Sequence, residues 1–333
     1  NEIIYINLIN SYNMGNSSEK PYVIGLDLGG TNSVFGIVDK NAKVLEIGKI
    51  KTGAYDTFEE WLDASIECLK PMIEHVGGIE NIKAMGAGAP NGNFYNGTIE
   101  FAPNLKWAKG VVPFAKAFEE KLGVPCFLTN DANAAALGEM AYGAARGMKN
   151  FTVITLGTGV GSGIVVNGEM VYGCDGFAGE LGHVISIRDG RQCGCGFKGC
   201  LEAYCSATGV ARTAREMLAK SDEPSLLREK NPEDIESLDV SIAASKGDKI
   251  AKEIFEFTGT LLGQALADFT KFSSPEAYIF FGGLTKAGDL IMEPIKKAYD
   301  ANCMPIFKGK AKILVSQLPD ADAAVLGASA LAW

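Results

Sequence analysis

The sequence predicts an α/β protein made of two similar halves, and two observations carry this prediction. The chain has 333 residues, about twice the length of one typical domain, so two hydrophobic cores are expected. Short strands joined by tight glycine turns occur near the start of the chain and again near its middle. Segments with helical spacing of apolar residues separate these strands, and this alternation is typical of an α/β fold.

The first predicted element is a β-meander of three strands. The strands cover Tyr22–Leu28, Ser33–Asp39 and residues 43–51, and they are joined by Gly29-Gly30-Thr31 and by Lys40-Asn41-Ala42. A glycine-rich phosphate loop of the P-loop or Rossmann kind leads into a helix, whereas these glycines lead into a strand. The pattern therefore argues against both of those nucleotide-binding folds.

A second meander repeats the pattern about 127 positions later. A strand over Phe151–Leu156 ends at Gly157-Thr158, and a second strand resumes over residues 163–166 before a hairpin turn. The same offset aligns the two Gly-Thr turns and two Gly-Ile-Val tripeptides, as a duplicated architecture would. Asp27 has Ile154 as its counterpart, so only the first copy carries a carboxylate at this point.

The remaining predicted elements are helices and two further strands. Residues 220–237 are polar and contain Pro224 and Pro232, so a surface excursion is expected there and not a domain linker. The predicted helices cover residues 57–76, 113–122, 132–142, 209–219, 249–272, 290–301 and 321–332, and the predicted strands cover Ala277–Phe281 and residues 312–316.

Composition and charge exclude several classes of protein. Hydrophobic residues make up 47% and charged residues 21% of the chain, which is ordinary globular usage. No apolar stretch approaches the roughly 20 residues of a membrane-spanning helix, so no membrane partner is expected. The net charge is −9 and no basic block occurs, so no nucleic-acid partner is expected either.

The first 21 residues are predicted to be a disordered or non-native extension. They lack the basic start and the small-residue cleavage site of a signal peptide. The stretch that begins at Met14 is typical of a cytoplasmic start, so we expect translation to begin there and the protein to be cytoplasmic.

Both glycine turns have the composition of a phosphate-binding loop. Gly29 and Gly30 would allow main-chain amides to approach phosphate oxygens, Thr31 adds a hydroxyl donor, and Asp27 could hold hydrated Mg²⁺. The loop Gly157-Thr-Gly-Val-Gly-Ser-Gly163 offers the same kind of amide-lined concavity. A tight hairpin explains either loop alone, but two such loops predict a nucleoside triphosphate in a cleft between them.

A carboxylate at a helix start is the candidate catalytic group. Asn130 and Asp131 precede the alanine-rich helical segment, where Asn and Asp are also preferred N-caps. In phosphoryl transfer, a carboxylate accepts the proton of the attacking hydroxyl while metal and amides hold the phosphates. The two interpretations are compatible, since Asn130 could cap the helix while Asp131 does chemistry.

A cluster of three cysteines and a histidine predicts a metal site. One of only two histidines lies ten residues before the first of these cysteines. In a reduced chain, so close a grouping of three thiols and a histidine is improbable by chance. Three thiolates and an imidazole form a closed tetrahedral zinc set, which makes the site structural and not hydrolytic. The predicted ligands are His183, Cys193, Cys195 and Cys200, and Cys205 is left outside the set.

Two glutamates accompany the cysteine cluster. Glu180 lies three residues before His183, and Glu202 lies just past Cys200. Each alone would be interpreted as a solvated surface residue. Next to a metal loop, the two carboxylates and the imidazole are suitable partners for sugar hydroxyls.

Together these segments closely resemble the ROK family of bacterial sugar kinases and sugar-responsive repressors. The resemblance runs from about Tyr22 to the end of the chain. It implies a two-lobed actin-like, hexokinase-type (ribonuclease H-like) fold with duplicated β-meander lobes and a sugar in the cleft. The segments that carry it are Asp27-x-Gly-Gly-Thr31, Leu156-Gly-Thr-Gly-Val-Gly-Ser-Gly163, Gly179-Glu-x-Gly-His183 and Cys193-x-Cys195-Gly-x-x-Gly-Cys200-x-Glu202.

The resemblance also implies roles for individual residues. It makes Asp131 the catalytic base, and it places nucleotide contacts at Gly157, Thr158 and Gly159. The turn Gly282-Gly283 resembles the family's adenosine motif. The implied sugar contacts are Asn104, Asn130, Glu180, His183 and Glu202.

The predicted function is that of an ATP-dependent hexose kinase, with glucose as the expected sugar and its 6-hydroxyl as the acceptor. ATP, Mg²⁺ and a structural Zn²⁺ are the expected cofactors, and the resemblance suggests a homodimer or larger homo-oligomer. The small lobe is expected over residues 22–129, completed by the C-terminal helix at 321–333. The large lobe is expected over residues 130–320, where it carries the zinc loop.

Alternative functions remain open within and beyond this class. An N-acetylhexosamine, mannose or fructose kinase would need few changes, and Asn91-Gly92 departs from the glycine that usually follows Gly88-Ala-Pro90 in the family. A sugar-sensing repressor would need a DNA-binding module of roughly 60 residues before the first lobe. Because 21 residues precede Tyr22, with Lys20 as their one basic residue, the repressor is the weaker expectation. An actin-like filament protein would explain the fold but not the cysteine cluster.

Overall fold

The computed structural model describes residues 20–319 and 322–333. The predictions for Met14 and for residues 1–19 lie outside the described residues. The strands are β1 (Tyr22–Leu28), β2 (Ser33–Asp39), β3 (Val44–Ile50), β4 (Ile82–Gly88), β5 (Gly92–Asn93), β6 (Thr98–Glu100), β7 (Val111–Val112), β8 (Cys126–Thr129), β9 (Phe151–Leu156), β10 (Val160–Val166), β11 (Glu169–Met170), β12 (Ala277–Phe281) and β13 (Lys312–Val315). The α-helices are α1 (Phe58–His75), α2 (Phe114–Leu122), α3 (Asp131–Tyr142), α4 (Glu202–Cys205), α5 (Ala207–Lys220), α6 (Ser237–Ser245), α7 (Lys249–Ser273), α8 (Asp289–Asn302) and α9 (Ala323–Ser329).

The first sheet contains the predicted N-terminal meander. Its strand order is β3-β2-β1-β4-β8, and β1, β2 and β3 pair antiparallel as predicted. Strands β4 and β8 extend the sheet in parallel to β1, and neither was predicted. The carboxyl ends of β1, β4 and β8 therefore meet at one edge of the sheet.

The second sheet has the same design. Its strand order is β11-β10-β9-β12-β13, in which β9, β10 and β11 are antiparallel and β12 and β13 run parallel to β9. Strands β2 and β10 begin and end 127 positions apart, so the predicted duplication is confirmed at the level of strands. Strand β10 begins at Val160, three residues before the predicted start.

Two helices pack against each other between the sheets. Helix α9 lies on the first sheet, where a Cβ at Gly25 would be 2.3 Å from the Val325 carbonyl oxygen. Helix α3 lies on β10, and it meets α9 where a Cβ at Gly138 would be 2.7 Å from the Gly327 Cα. Glycine is required at these positions because the main chains approach too closely for any side chain.

The predicted helices are present, with shifts of one to three residues at several ends. Helix α1 begins with a capping box, in which Thr57 Oγ1 accepts from the Glu60 N–H and Glu60 Oε2 accepts from the Thr57 N–H. The predicted helix at 321–332 is α9 followed by a 3₁₀ turn, and Ala321 lies outside the described residues. The surface excursion contains two 3₁₀ turns and is followed by α6, which was not predicted.

Each sheet is covered by its own hydrophobic core. On the first sheet, Trp61 of α1 and Phe114 of α2 are fully buried. On the second sheet, Phe255 of α7, Tyr299 of α8 and Tyr278 of β12 form the corresponding core. Among the described residues, no helix combines the length and the apolar character needed to cross a bilayer.

Candidate active site

The first sheet brings the two aspartates of the predicted site to the same edge. Asp27 lies opposite Gly88 of β4, and Gly88 lies opposite Thr129 of β8. Two residues after Thr129, Asp131 is the first residue of α3, and its Cα would be 3.4 Å from a Cβ at Gly88. The parallel strands β4 and β8 thus position the start of α3 beside the end of β1.

Both carboxyl groups have a raised pKa. Burial and, to a smaller extent, the charge of Asp131 raise the pKa of Asp27 to about 6. Asp131 is exposed to solvent on one side. Burial of the rest of the carboxyl group by the surrounding protein raises its pKa, and backbone hydrogen bonds oppose this shift. A carboxylate with a raised pKa is a better proton acceptor near neutral pH than an ordinary aspartate.

The start of α3 is capped by two side chains at once. Asn130 Oδ1 and Asp131 Oδ1 both accept from the Ala132 N–H, at 2.8 and 2.9 Å. The N-cap role expected for Asn130 is therefore present. Within the described residues, Asp131 Oδ2 makes no hydrogen bond, which leaves one carboxylate oxygen for a substrate.

The first glycine turn packs against Asn104. A Cβ at Gly30 would lie 2.8 Å from the Asn104 carbonyl oxygen, so only glycine permits this contact. The turn is closed by a hydrogen bond from the Gly29 N–H to the Asn32 carbonyl at 2.9 Å, and Thr31 is exposed. The structure therefore joins a predicted phosphate turn directly to a predicted sugar residue.

The second glycine loop lies beside the first turn of α3. Gly157 and Thr158 are exposed between β9 and β10, and among the described residues nothing lies within 4 Å of a Cβ at Gly157. Farther along β10, a Cβ at Gly161 would be 2.9 Å from the Ala132 Cβ. This packing places an open, amide-rich loop close to Asp131.

The Gly282-Gly283 turn reaches the same edge of the second sheet. Strand β12 pairs with β9, and a Cβ at Gly282 would be 2.5 Å from the Leu156 carbonyl oxygen. Gly282 has a φ of +110°, a conformation that other residues avoid, and Gly283 is exposed. The predicted adenosine turn and the second glycine loop are therefore neighbours.

The predicted zinc ligands come together in space. One ligand atom from each of His183, Cys193, Cys195 and Cys200 lies within 4.8 Å of all the others. The Cys195 and Cys200 sulfurs are 3.6 Å apart, and Cys193 Sγ is 3.8 Å from His183 Nδ1. A tetrahedral zinc with Zn–S bonds of about 2.3 Å separates its sulfurs by about 3.8 Å, so these donors fit that ion. Cys205 is buried elsewhere, with its sulfur 3.7 Å from the Thr258 carbonyl.

The cysteine cluster orients His183 toward Glu180. Because Nδ1 of His183 faces Cys193, its Nε2 is turned to Glu180, at 3.9 Å from Oε2. Burial raises the pKa of Glu180, His183 opposes this shift, and the charges of Asp131 and Glu202 add to it. These four predicted residues therefore lie within electrostatic range of one another.

Several connecting residues were not selected from the sequence. Ser162 of β10 donates to the Gly179 carbonyl and accepts from the Leu181 N–H at 3.1 Å, so it connects β10 to the Glu180 segment. Thr208 donates to the Thr158 carbonyl at 3.0 Å. The sequence does not mark these two residues, because each hydroxyl bonds a main-chain carbonyl that is distant in the chain. No pattern of neighbouring residues could indicate such a partner.

The departure at Asn91 has a local structural reason. Asn91 has a φ of +51°, and asparagine is among the few non-glycine residues that tolerate this region. Its side-chain NH₂ donates to the Glu100 and Phe101 carbonyls at 2.9 and 3.3 Å. Asparagine can therefore occupy the turn position where glycine is usual, and its side chain bonds the end of β6.

Comparison with known proteins identifies the same family that the sequence motifs resemble. A model of the ROK family matches residues 23–333. The chain belongs to the ROK family. Among its ROK relatives, the glucokinase of Streptomyces coelicolor is 34% identical over 319 residues, which cover 93% of this chain and 96% of that protein. The xylose repressor of Caldicellulosiruptor bescii is 26% identical over 317 residues, which cover 93% of this chain and 77% of the repressor.

A solved ROK structure shares the fold. The crystal structure of a ROK glucokinase from Streptomyces griseus, in complex with glucose and AMPPNP, matches with a TM-score of 0.77 and 33% identity. The match covers 92% of this chain and 98% of that one. The predicted hexokinase-type α/β fold is therefore confirmed.

Proposed function

We propose that this ROK protein is an ATP-dependent hexose kinase that transfers the γ-phosphoryl group of ATP to the 6-hydroxyl of a sugar. The observation that carries the proposal is the position of Asp131, at a helix start beside Asp27 and close to both glycine turns. Glucose is the proposed sugar because glucokinases that match almost the full chain are 34% identical to it.

In this proposal Asp131 is the general base. Its Oδ1 is held by the Ala132 N–H, so Oδ2 accepts the proton of the sugar 6-hydroxyl as that oxygen attacks the γ-phosphorus. The P–O bond to ADP breaks, and the sugar leaves as its 6-phosphate. The raised pKa of the carboxyl group favours proton acceptance.

The proposed donor site lies along the two glycine turns. Main-chain amides of Gly30 and Gly159, with the hydroxyls of Thr31 and Thr158, would hold phosphate oxygens. The Gly29 and Gly157 N–H groups close their own turns by donating to the Asn32 and Gly159 carbonyls. Gly282-Gly283 would receive the adenosine. The open surface at Gly157 and Gly283 supports this placement. Asp27 fits Mg²⁺ as a carboxylate at the edge of the site, where the bound ion would neutralise phosphate charge.

The proposed sugar site uses the residues around the cysteine cluster. Glu180 and Glu202 would accept hydrogen bonds from sugar hydroxyls, and Asn104, Asn130 and His183 would complete the site. When bound, Zn²⁺ would supply structural cross-linking of a glycine-rich loop. Ligation through Nδ1 would leave His183 Nε2 as an N–H donor toward the sugar.

We also propose that the two lobes divide at residue 130. Helix α9 packs on β1, β2 and β4, which supports the assignment of the C-terminal helix to the first lobe. The homo-oligomeric state remains a prediction, and light scattering on the purified protein would measure it.

The function is tested by an ADP-release assay on the purified protein. Glucose, mannose, fructose, N-acetylglucosamine and N-acetylmannosamine are offered with ATP and Mg²⁺, and Asp131→Asn is run in parallel. The proposal expects turnover with glucose and its loss in the variant. Absence of turnover with every sugar, together with retained sugar binding by calorimetry, would instead favour a sugar-sensing regulator, the function of the xylose repressor among the relatives.

A further inference from the structure

An aromatic contact links the two halves of the molecule away from the residues assigned above. The rings of Phe94 and Tyr172 stack with their centroids 4.1 Å apart and their planes within 3° of parallel. Tyr95 meets Tyr172 edge to face, with centroids 6.1 Å apart. Stacked and edge-to-face pairs stabilise a contact beyond the apolar area that they bury.

Hydrogen bonds reinforce the same contact. The Tyr95 hydroxyl donates to the Gly173 carbonyl at 2.8 Å, and the Asn93 NH₂ donates to the Asp175 carbonyl at 2.8 Å. Asn93 is 1% exposed, and its Oδ1 accepts from the Tyr95 and Asn96 N–H groups at 3.0 and 3.3 Å. The buried Asn93 amide bonds both its own turn and a distant carbonyl. A different arrangement of the two segments would leave these buried polar atoms without hydrogen bonds. We name residues 93–95 together with residues 172–175 the aromatic clasp.

The two sides of the aromatic clasp belong to different parts of the fold. Asn93 is the last residue of β5, and residues 94–95 follow it in the turn to β6, whose Ile99 packs in the core of the first sheet. Residues 172–175 follow β11 at the edge of the second sheet. The halves are also joined where the chain enters α3 and where it passes from β13 to α9, and by the packing of α3 on α9 and β4. The clasp is held by non-covalent contacts alone, so it can open.

The second side of the clasp leads directly into the proposed sugar site. The Ala178 N–H donates to the Tyr172 carbonyl at 3.0 Å, which folds the chain back before Gly179 and Glu180. An open groove of about 550 Å³ borders the clasp, lined in part by Asn93, Glu100 and Phe177. The clasp contacts thus lie between this groove and the segment that leads to Glu180.

We propose that the aromatic clasp is a latch between the lobes, and that Tyr172, Tyr95 and Asn93 are positioning residues for the hexose. The closed clasp holds residues 178–183 so that Glu180 and His183 face the sugar. The open clasp leaves this segment free and the sugar site incomplete. This inference rests on the proposed kinase function for its kinetic test, but not for its structural test.

The kinetic test compares Tyr172→Ala with Tyr172→Phe. Loss of the ring is expected to raise KM for the hexose about tenfold, because apparent affinity falls with the fraction of competent conformers. KM for ATP is expected to change less than about twofold, since the nucleotide loops lie elsewhere. Tyr172→Phe keeps the stacked ring and should restore the hexose KM. Tyr95→Phe removes one hydroxyl only and should give a smaller increase of about two- to threefold. Phe272→Ala, at an exposed ring outside the clasp, serves as the control.

The structural test uses hydrogen exchange on the unliganded wild type and Tyr172→Ala. Amides of residues 178–183 are expected to exchange several-fold faster in the variant, while those of β1 keep their rates. If the wild type phosphorylates a hexose and Tyr172→Ala keeps its hexose KM and its exchange rates, the latch is wrong. If the wild type phosphorylates no sugar, the kinase proposal fails, and the exchange rates alone decide the latch.

Discussion

The carboxylate of Glu202 accepts a hydrogen bond from the main-chain N–H of Val160 at 3.0 Å. Its other oxygen lies 3.6 Å from the sulfur of Cys193. One side chain therefore joins the cysteine cluster to the second glycine loop. From the sequence, Glu202 was expected to contact the sugar alone. The structure shows that it also connects the cysteine cluster to the proposed nucleotide loop.

The first prediction concerns Cys195→Ser, which removes one proposed zinc ligand. We expect loss of zinc and a fall in sugar affinity of about tenfold or more, because an unligated glycine-rich loop must be ordered on binding. Nucleotide affinity should fall by about two- to threefold, since Glu202 then holds Val160 less firmly. Zinc content by atomic absorption and titrations with sugar and AMPPNP measure these effects.

The matched control for this variant is Cys68→Ser. Cys68 lies on α1 in the first lobe, outside both the aromatic clasp and the four clustered residues. It should keep its zinc and both affinities. Unchanged sugar affinity in zinc-free Cys195→Ser would show that the cluster does not support the sugar site.

The second prediction concerns Asp131→Asn, which keeps the shape of the side chain and its Oδ1 acceptor. We expect kcat to fall by about 10²–10⁴, the range typical of general-base loss, while sugar affinity changes little. The melting temperature should stay close to that of the wild type, because the bond to Ala132 is retained. Retained kcat would place the base at another residue.

The third prediction is a pH-dependent gain of stability in Asp27→Asn without ligands. The pKa of Asp27 is raised from 3.8 to about 6 on folding, so the folded state binds the proton more tightly than the unfolded state. The free energy of unfolding of the wild type therefore decreases as pH rises from about 4 to about 6, and the penalty is complete above that range. Asn cannot ionise, so its advantage over Asp should grow by about 1 kcal/mol between pH 5 and pH 7.5. Urea denaturation at both values measures this, and a constant difference would contradict it.

The fourth prediction compares neighbouring glycines. Gly282→Ala places a Cβ 2.5 Å from the Leu156 carbonyl at a φ of +110°, so it should lower the free energy of unfolding by about 2 kcal/mol. It should also raise KM for ATP, because the turn must move away from β9. Gly283→Ala is the control, since nothing among the described residues lies within 4 Å of a Cβ there. Equal effects of the two variants on stability would argue against this geometry.

The elements that the sequence predicted well are those with local signals. Strands β1 and β2 have the predicted bounds because each is an apolar run that ends at a turn. The start of α3 was predicted from Asn130, a strong N-cap, followed by an alanine-rich segment. The clustering of His183, Cys193, Cys195 and Cys200 was expected because thiolates and imidazole at such short spacing are typical of a metal site, and their role as zinc ligands stays a prediction.

Strand β4 was missed for a reason that only packing explains. Strand β4 contains alanine and glycine, which have low β-propensity, and so it lacks the pattern of a strand. Its small residues are required because α9 lies directly on it: a Cβ at Gly86 would be 2.1 Å from the Ala328 carbonyl oxygen. The residues next to Gly86 in the chain do not indicate that α9 will pack on this strand.

The sequence by itself therefore determined the two meanders, the helix that begins at Asp131 and the composition of the cysteine–histidine cluster. Only the tertiary structure decided that Glu202 also bonds Val160, 42 residues away, and that Asn93 bonds Asp175, 82 residues away. Local elements follow from the preferences of residues next to each other in the chain. A hydrogen bond between distant segments depends on which donor and acceptor the packed sheets and helices bring within about 3 Å of each other.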